Sequence, residues 1–257
     1  MEYIVWSGDP ILISFGSLSI HWYGVLFALA FFVGMKIMEW IFTHEEQKIE
    51  DVEHLFLYVI LGAVIGARLG HCLFYDPSYY LANPLKIFAV WQGGLASHGG
   101  AMGVVMSLYI FSLRYNYRYI WLLDRIVIPA LLAGAFIRIG NFFNSEIIGT
   151  ASTLPWAIIF SNFDATPRHP AQLYESLSYF ILFFIIVYLY KNSKSALKDG
   201  YLFGFYLISV FGVRFLIEFV KLKQEAYSNE LLLSTGQFLS IPFIVLGLYT
   251  LFFYKRS

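Results

Sequence analysis

The sequence predicts an all-α polytopic membrane protein of about seven transmembrane helices, N-terminus outside and C-terminus cytoplasmic, and three observations predict it. Hydrophobic residues make up 59% of the 257 positions and charged residues 13%, with a positive mean hydropathy, which is the composition of an integral membrane chain. Crossing a bilayer as helix takes roughly 20 apolar residues. Stretches of that kind recur at about 17–41, 53–75, 97–113, 119–141, 172–190, 200–220 and 236–254. The loop charges then set the orientation, because cytoplasmic loops carry the excess of Lys and Arg. With the N-terminus outside, the inner segments hold Lys48, Arg114, Arg118, Lys191, Lys194, Lys198, Lys255 and Arg256, and the outer ones hold Lys86, Arg168, Lys221 and Lys223.

The first residues lack the basic segment of a cleaved signal peptide, so the first apolar run is read as a retained anchor. The whole chain, 1–257, reads as one integral-membrane domain. Its one insertion is 142–171, where Thr153, Pro155, Asn162, Asp164, Pro167 and Pro170 interrupt the apolar pattern between the fourth and fifth spans. That segment is expected to form a small extracytoplasmic subdomain. In the second span Gly62, Gly66 and Gly70 recur every four residues and put a small surface on one side, the pattern of close helix packing. The glycines beside His98 sit where a helix starts, and there they would let backbone approach a ligand.

Formal net charge is zero, so nothing points to nucleic acid as a partner. The one cysteine, Cys72, excludes an internal disulfide and a cysteine-based zinc site, and is read as a small packing residue. His21, His71 and His169 are read near the outer face, but no HExxH metal pattern and no Gly-x-Ser-x-Gly elbow occurs; no metal or other cofactor is expected.

With that topology, most polar residues in or beside the spans approach the outer face. Tyr23 starts the first span there, Arg68 ends the second and His98 opens the third. Arg138, Asn141, Asn144, Glu146 and Gly149 leave the fourth, Arg168 and Gln172 lead into the fifth, and Arg214 and Glu218 close the sixth. Lys36, Glu39, Asp124 and Arg125 fall toward the inner face and read as interfacial anchors or helix-end ion pairs. Two readings fit Arg138 alone: a side chain snorkelling at the membrane edge, or part of a site. Asn141 and Asn144, three residues apart, with Glu146 behind them, favour the site. Arg68, Arg138 and Arg214 outnumber Glu146 and Glu218, which suits an anion such as phosphate. Arg214 and Glu218 are also spaced to pair with each other on a helix. His98 suits a general base, as the residue type that most often serves in proton transfer.

The residues also resemble a known family. Arg-Ile-Gly-Asn-Phe-Phe-Asn-Ser-Glu-Ile-Ile-Gly at 138–149 is similar to the signature of bacterial phosphatidylglycerol:prolipoprotein diacylglyceryl transferases. The likeness extends to His-Trp-Tyr-Gly at 21–24, Gly-Ala-Arg-Leu-Gly at 66–70, Gly-Gly-Leu-Ala-Ser-His-Gly-Gly at 93–100, Arg-His-Pro-Ala-Gln-Leu-Tyr-Glu at 168–175 and Arg-Phe-Leu-Ile-Glu-Phe at 214–219. The family usually has glycine where Ile137 and Ser145 stand here.

The resemblance implies transfer of a diacylglyceryl group from phosphatidylglycerol to the lipobox cysteine of a preprolipoprotein signal peptide. A thioether forms and glycerol phosphate leaves, in the bacterial inner membrane with the site toward the outer leaflet. His98, Arg138 and Arg214 are then expected to be catalytic. Tyr23, Arg68, Gly99, Asn141, Asn144, Glu146, Gly149, Arg168, Gln172 and Glu218 are expected to bind substrate. Two other classes fit parts of the pattern: a transporter or lipid-handling channel for anionic cargo, and a seven-span receptor.

Overall fold

The computed structural model describes residues 3–16, 18–193, 198–222 and 233–254, so Lys194, Lys223, Lys255 and Arg256, used above for orientation, lie outside the described residues. Among the described residues eight α-helices account for most of the structure: α1 (Trp22–His44), α2 (Glu50–Phe74), α3 (Pro77–Ala82), α4 (Ser97–Tyr115), α5 (Tyr119–Phe143), α6 (Ala171–Asn192), α7 (Tyr201–Ile217) and α8 (Thr235–Phe252). Among the described residues six helices are long and apolar enough to cross a membrane: α1, α2, α5, α6, α8, and α7 with the 3-10 turn that extends it to Val220. This is the make-up of a multi-pass membrane protein. The helix expected at 97–113 is present as α4 but is not one of the six, because Ser97, His98 and two glycines open it and Ser107 and Ser112 interrupt its apolar run.

Five short strands among the described residues are not foreseen by the all-α reading. β1 (Ile4–Trp6) lies parallel to β4 (Ile158–Phe160), which pairs antiparallel with β5 (Pro167–Arg168). β2 (Ile11–Phe15) and β3 (Leu18–His21) form an antiparallel hairpin, with Gly16 at φ +62° between them. Residues 18–21, read as part of the start of the first span, therefore belong to this hairpin, while Ser17 lies outside the described residues, and α1 begins at Trp22, whose amide donates to the Pro10 carbonyl at 3.0 Å. A strand of alternating apolar residues is as lipid-soluble as the first turn of a helix, and hydropathy does not separate them.

The chain divides into two compact units, Met1–Ile37 with Asp124–Ser257, and Met38–Leu123. In the smaller unit α2 and α4 meet at their glycines. A β-carbon on Gly70 would come to 2.8 Å from the Gly99 Cα, one on Gly62 to 2.5 Å from the Ser107 hydroxyl, and Gly66 and Gly99 back onto each other's carbonyls. The packing expected of Gly62, Gly66 and Gly70 is thus observed. Cys72 is buried in the same unit.

In the larger unit a small core of Ile148, Ile158 and Phe160, flanked by Trp6, Phe142 and Leu173, fastens the strands of the 142–171 segment to the end of α5. The Trp6 and Phe142 rings lie 4.4 Å apart. At the opposite end of α5, Asp124 is fully buried and accepts from the amides of Gly200 (2.7 Å) and Phe203 (2.8 Å), capping α7 from a neighbouring helix; Arg125 lies 3.7 Å from the same carboxylate. Of the two sequence readings of these residues, interfacial anchors or a helix-end ion pair, the second matches the contact, and neither includes the cap. Asp124→Ala leaves two amides without an acceptor and is expected to cost about 1–2 kcal/mol, measured by thermal unfolding in detergent.

Candidate functional site

In the larger unit the polar side chains gather at one end of the helices. The last turns of α5 bring Arg138 and Asn141, α6 begins with Gln172 and Glu175, α7 ends at Arg214, and the 3-10 turn Glu218–Val220 leads to Lys221. Glu175, fully buried, is the hub. One oxygen lies 2.6 Å from Arg138 Nε and the other 2.9 Å from Lys221 Nζ, and Lys221 reaches Glu218 at 3.4 Å. A carboxylate between two cations can stay ionised without water, because Coulomb attraction and hydrogen bonding offset the lost hydration.

A second chain of contacts starts from the same arginine. Arg138 donates to Asn141 Oδ1 (3.1 Å), Asn141 donates to one oxygen of Glu146 (3.1 Å), and Asn144 donates to the other (3.1 Å). Gln172, wholly buried, donates its amide to the Glu146 carbonyl. Ser145 and Ile147, on either side of Glu146, have φ of +54° and +55°. Left-handed backbone costs an L-residue free energy and persists where the surroundings enforce it. The family's usual glycine at position 145 thus has a conformational reason here. Ser145→Gly is expected to raise stability by about 1 kcal/mol, seen as a higher unfolding temperature.

Tyr23 enters this network from α1. Its ring packs on Gly140, where a β-carbon would come to 2.8 Å, and its hydroxyl lies in the field of Glu146 and Arg138. Arg138, Arg214 and Glu175 all act electrostatically on the Tyr179 hydroxyl, so the two arginines share one neighbourhood. The Arg214–Glu218 pairing that the spacing allowed is not made. Glu218 instead takes Lys221 and lies against the start of α8, where a β-carbon on Gly236 would meet its carboxyl carbon at 2.5 Å. Arg214, half-buried, has no hydrogen-bond or ion-pair partner among the described residues.

Several expected site residues have other employment. Gly149 lies where three strands of chain cross: its amide donates to the His169 carbonyl at 2.9 Å, and a β-carbon would come to 2.7 Å from the Val220 carbonyl oxygen. Arg168 is tied into its own loop by the Asp164 carboxylate, by the Gly149 carbonyl at 3.3 Å, and by the Phe163 ring 5.1 Å away. The Arg168 hydrogen bond holds the Asp164 carboxyl below its usual range.

In the smaller unit Arg68 is 3% exposed and donates to the carbonyls of Lys86, Ile87 (2.8 Å), Gly93 (2.6 Å) and Gly94 (3.2 Å), with its guanidinium over the Tyr80 ring at 5.0 Å. It staples the 86–94 loop, with four of its five N–H donors spent on backbone carbonyls. The excess of arginine over glutamate read from the sequence therefore changes: Arg68 leaves the count, Glu175 and Lys221 join it, and of Arg138, Lys221 and Arg214 it is Arg214 that has no carboxylate partner among the described residues. Gly99 packs on α2, so the face expected to admit a ligand is taken by backbone. His98 Nε2 lies 2.9 Å from the Tyr75 hydroxyl, and the Tyr75 ring stacks on His71.

Sequence reasoning missed Glu175 and Lys221 as site residues. Glu175 closes the 168–175 motif, seven residues after Arg168, and Lys221 had been counted only as a loop charge. The signal for Lys221 was its three-residue spacing from Glu218.

Known proteins similar to this chain fall in one family. The family model described as prolipoprotein diacylglyceryl transferase matches residues 10–253. A phosphatidylglycerol–prolipoprotein diacylglyceryl transferase of Chloroherpeton thalassium is 48% identical over 252 residues, covering 98% of this chain and 94% of the relative. The protein of the same name from Tolumonas auensis is 46% identical over 246 residues, 95% of each. One from Bacteroides fragilis is 40% identical over 268 residues, 99% of this chain and 96% of the relative. The chain belongs to the prolipoprotein diacylglyceryl transferase family.

Proposed function

We propose that this protein transfers the diacylglyceryl group of phosphatidylglycerol to the lipobox cysteine of a preprolipoprotein signal peptide. The sulfur forms a bond to the glyceryl carbon as that carbon's bond to phosphate oxygen breaks, and glycerol phosphate leaves with the electron pair. The observation that carries the reading, beside family membership, is the pairing of an anchored Arg138 with an unpaired Arg214 around Tyr179. The diester carries one negative charge and the departing monoester approaches two, so these cations bind the transition state more strongly than the ground state.

A free thiol is a few per cent ionised at neutral pH, and His98, oriented by Tyr75, is assigned the task of taking its proton. Glu146 and Glu218 hold the polar network in register. In this reading the protein lies in the bacterial inner membrane with seven spans, α4 being the seventh beside the six long apolar helices, N-terminus out, the 142–171 segment extracytoplasmic and the site toward the outer leaflet, where lipid donor and secreted peptide meet.

Purified protein incubated with phosphatidylglycerol and a lipobox peptide is expected to add one diacylglyceryl unit to the peptide, and none to its Cys→Ser counterpart. Phosphatidylglycerol bound but never consumed would support a carrier instead. Properly folded His98→Gln with near-normal rates would remove His98 as the base.

A further inference from the structure

The amides around Glu146 differ in what they leave available, and hydrogen-bond chemistry fixes which end of each faces where. Asn141 is used at both ends: its oxygen accepts from Arg138 and its nitrogen donates to Glu146. The Asn144 nitrogen meets a carboxylate oxygen and the Gln172 nitrogen meets a backbone carbonyl. Both partners only accept, so in each case the NH2 group must face inward. The remaining atoms, Asn144 Oδ1 and Gln172 Oε1, are buried and have no partner. Buried polar atoms in native structures are nearly always paired, and two orphaned acceptors bordering one residue call for a donor from outside the chain.

We infer that Asn144 Oδ1 and Gln172 Oε1 form an acceptor subsite for the headgroup hydroxyls of the lipid donor, making these two residues determinants of headgroup specificity. The inference rests on the transfer reading proposed above and refines it. A phosphate oxygen, itself an acceptor, has nothing to offer these atoms, whereas a glycerol headgroup carries two hydroxyl donors. The division of labour is then that cationic Arg214 meets the phosphate, while the two amide oxygens read the alcohol that leaves with it. A site that accepts from a substrate hydroxyl discriminates against an analogue lacking it, because its buried oxygens are left unpaired.

The test compares phosphatidylglycerol with phosphatidylpropanol, which has the same single charge and no headgroup hydroxyl, as donors to a lipobox peptide. Wild type is expected to favour phosphatidylglycerol in kcat/KM by roughly 10-fold or more. Gln172→Met, similar in volume and without a comparable acceptor, also removes the donor to the Glu146 carbonyl and is expected to slow both lipids, the phosphatidylglycerol rate several-fold more than the phosphatidylpropanol rate, so that the preference shrinks. Should that variant fail to accumulate folded, Asn144→Leu is measured by the same ratio. Equal use of both lipids by wild type overturns the subsite and leaves the transfer reading standing. So does an equal fall on both lipids in the variant, which would mark a packing role or a fixed water. Wild type that modifies no peptide with either lipid overturns the transfer reading itself.

Discussion

Replacing Glu175 with alanine is expected to cost roughly 3–5 kcal/mol of stability and nearly all transfer activity, because it strands Arg138 and Lys221 without their shared counter-charge. The carboxylate is fully buried, so water cannot take its place. Two further variants separate folding from positioning. Lys221→Met removes one cation and leaves the Arg138 pair, and is expected to unfold far less readily than Glu175→Ala. Glu175→Asp keeps the charge on a stem one methylene shorter, which cannot span both partners; it is expected to remain folded with a reduced kcat. Thermal unfolding in detergent and the peptide-modification rate are the two readouts. Wild-type stability and rate in Glu175→Ala would show that this hub organises nothing.

Arg214→Ala is expected to behave in the opposite way, lowering kcat by roughly 10²–10³-fold with unfolding shifted by less than about 1 kcal/mol. The contrast follows from partnership: Arg138 is bound to Glu175 and Asn141, whereas Arg214 has no such partner among the described residues. Arg138→Ala should therefore lose stability and rate together, and Arg214→Ala rate alone. Arg214→Lys tests geometry, since a point charge on a flexible stem does not reproduce the planar fork that engages two phosphate oxygens. Equal loss of stability in the two alanine variants would mean that Arg214 is structural.

Much of the helical framework was legible because membrane spans are written in long apolar runs. The span read at 119–141 is Tyr119–Phe143 and that at 172–190 is Ala171–Asn192. The Gly62, Gly66 and Gly70 stripe was legible for a related reason, since a helix repeats its faces. Other features had no local signature. Arg68 is held by backbone carbonyls, which every residue possesses, so its sequence neighbourhood could not distinguish a loop staple from an anion receptor. Glu175 and Lys221 are 46 residues apart, and nothing near either one announces the other. Arg168 was expected to face substrate, but Asp164, one helical turn away in spacing, takes it. The resemblance to a family named positions without their partners; the structure separates those with free hydrogen-bonding capacity from those already spent.

The clasp that Asp124 makes on the first turn of α7 gives the two guanidinium groups a common origin. Fourteen residues lead along α5 from Asp124 to Arg138, and fourteen lead from Gly200 to Arg214 on a helix running the same way. At 1.5 Å per residue each arm is about 21 Å long, so α5 and α7 work as matched calliper legs hinged at one carboxylate. Inserting one residue into either leg would shift its tip by about 1.5 Å and turn it by about 100°, putting the two charges out of level without touching either of them.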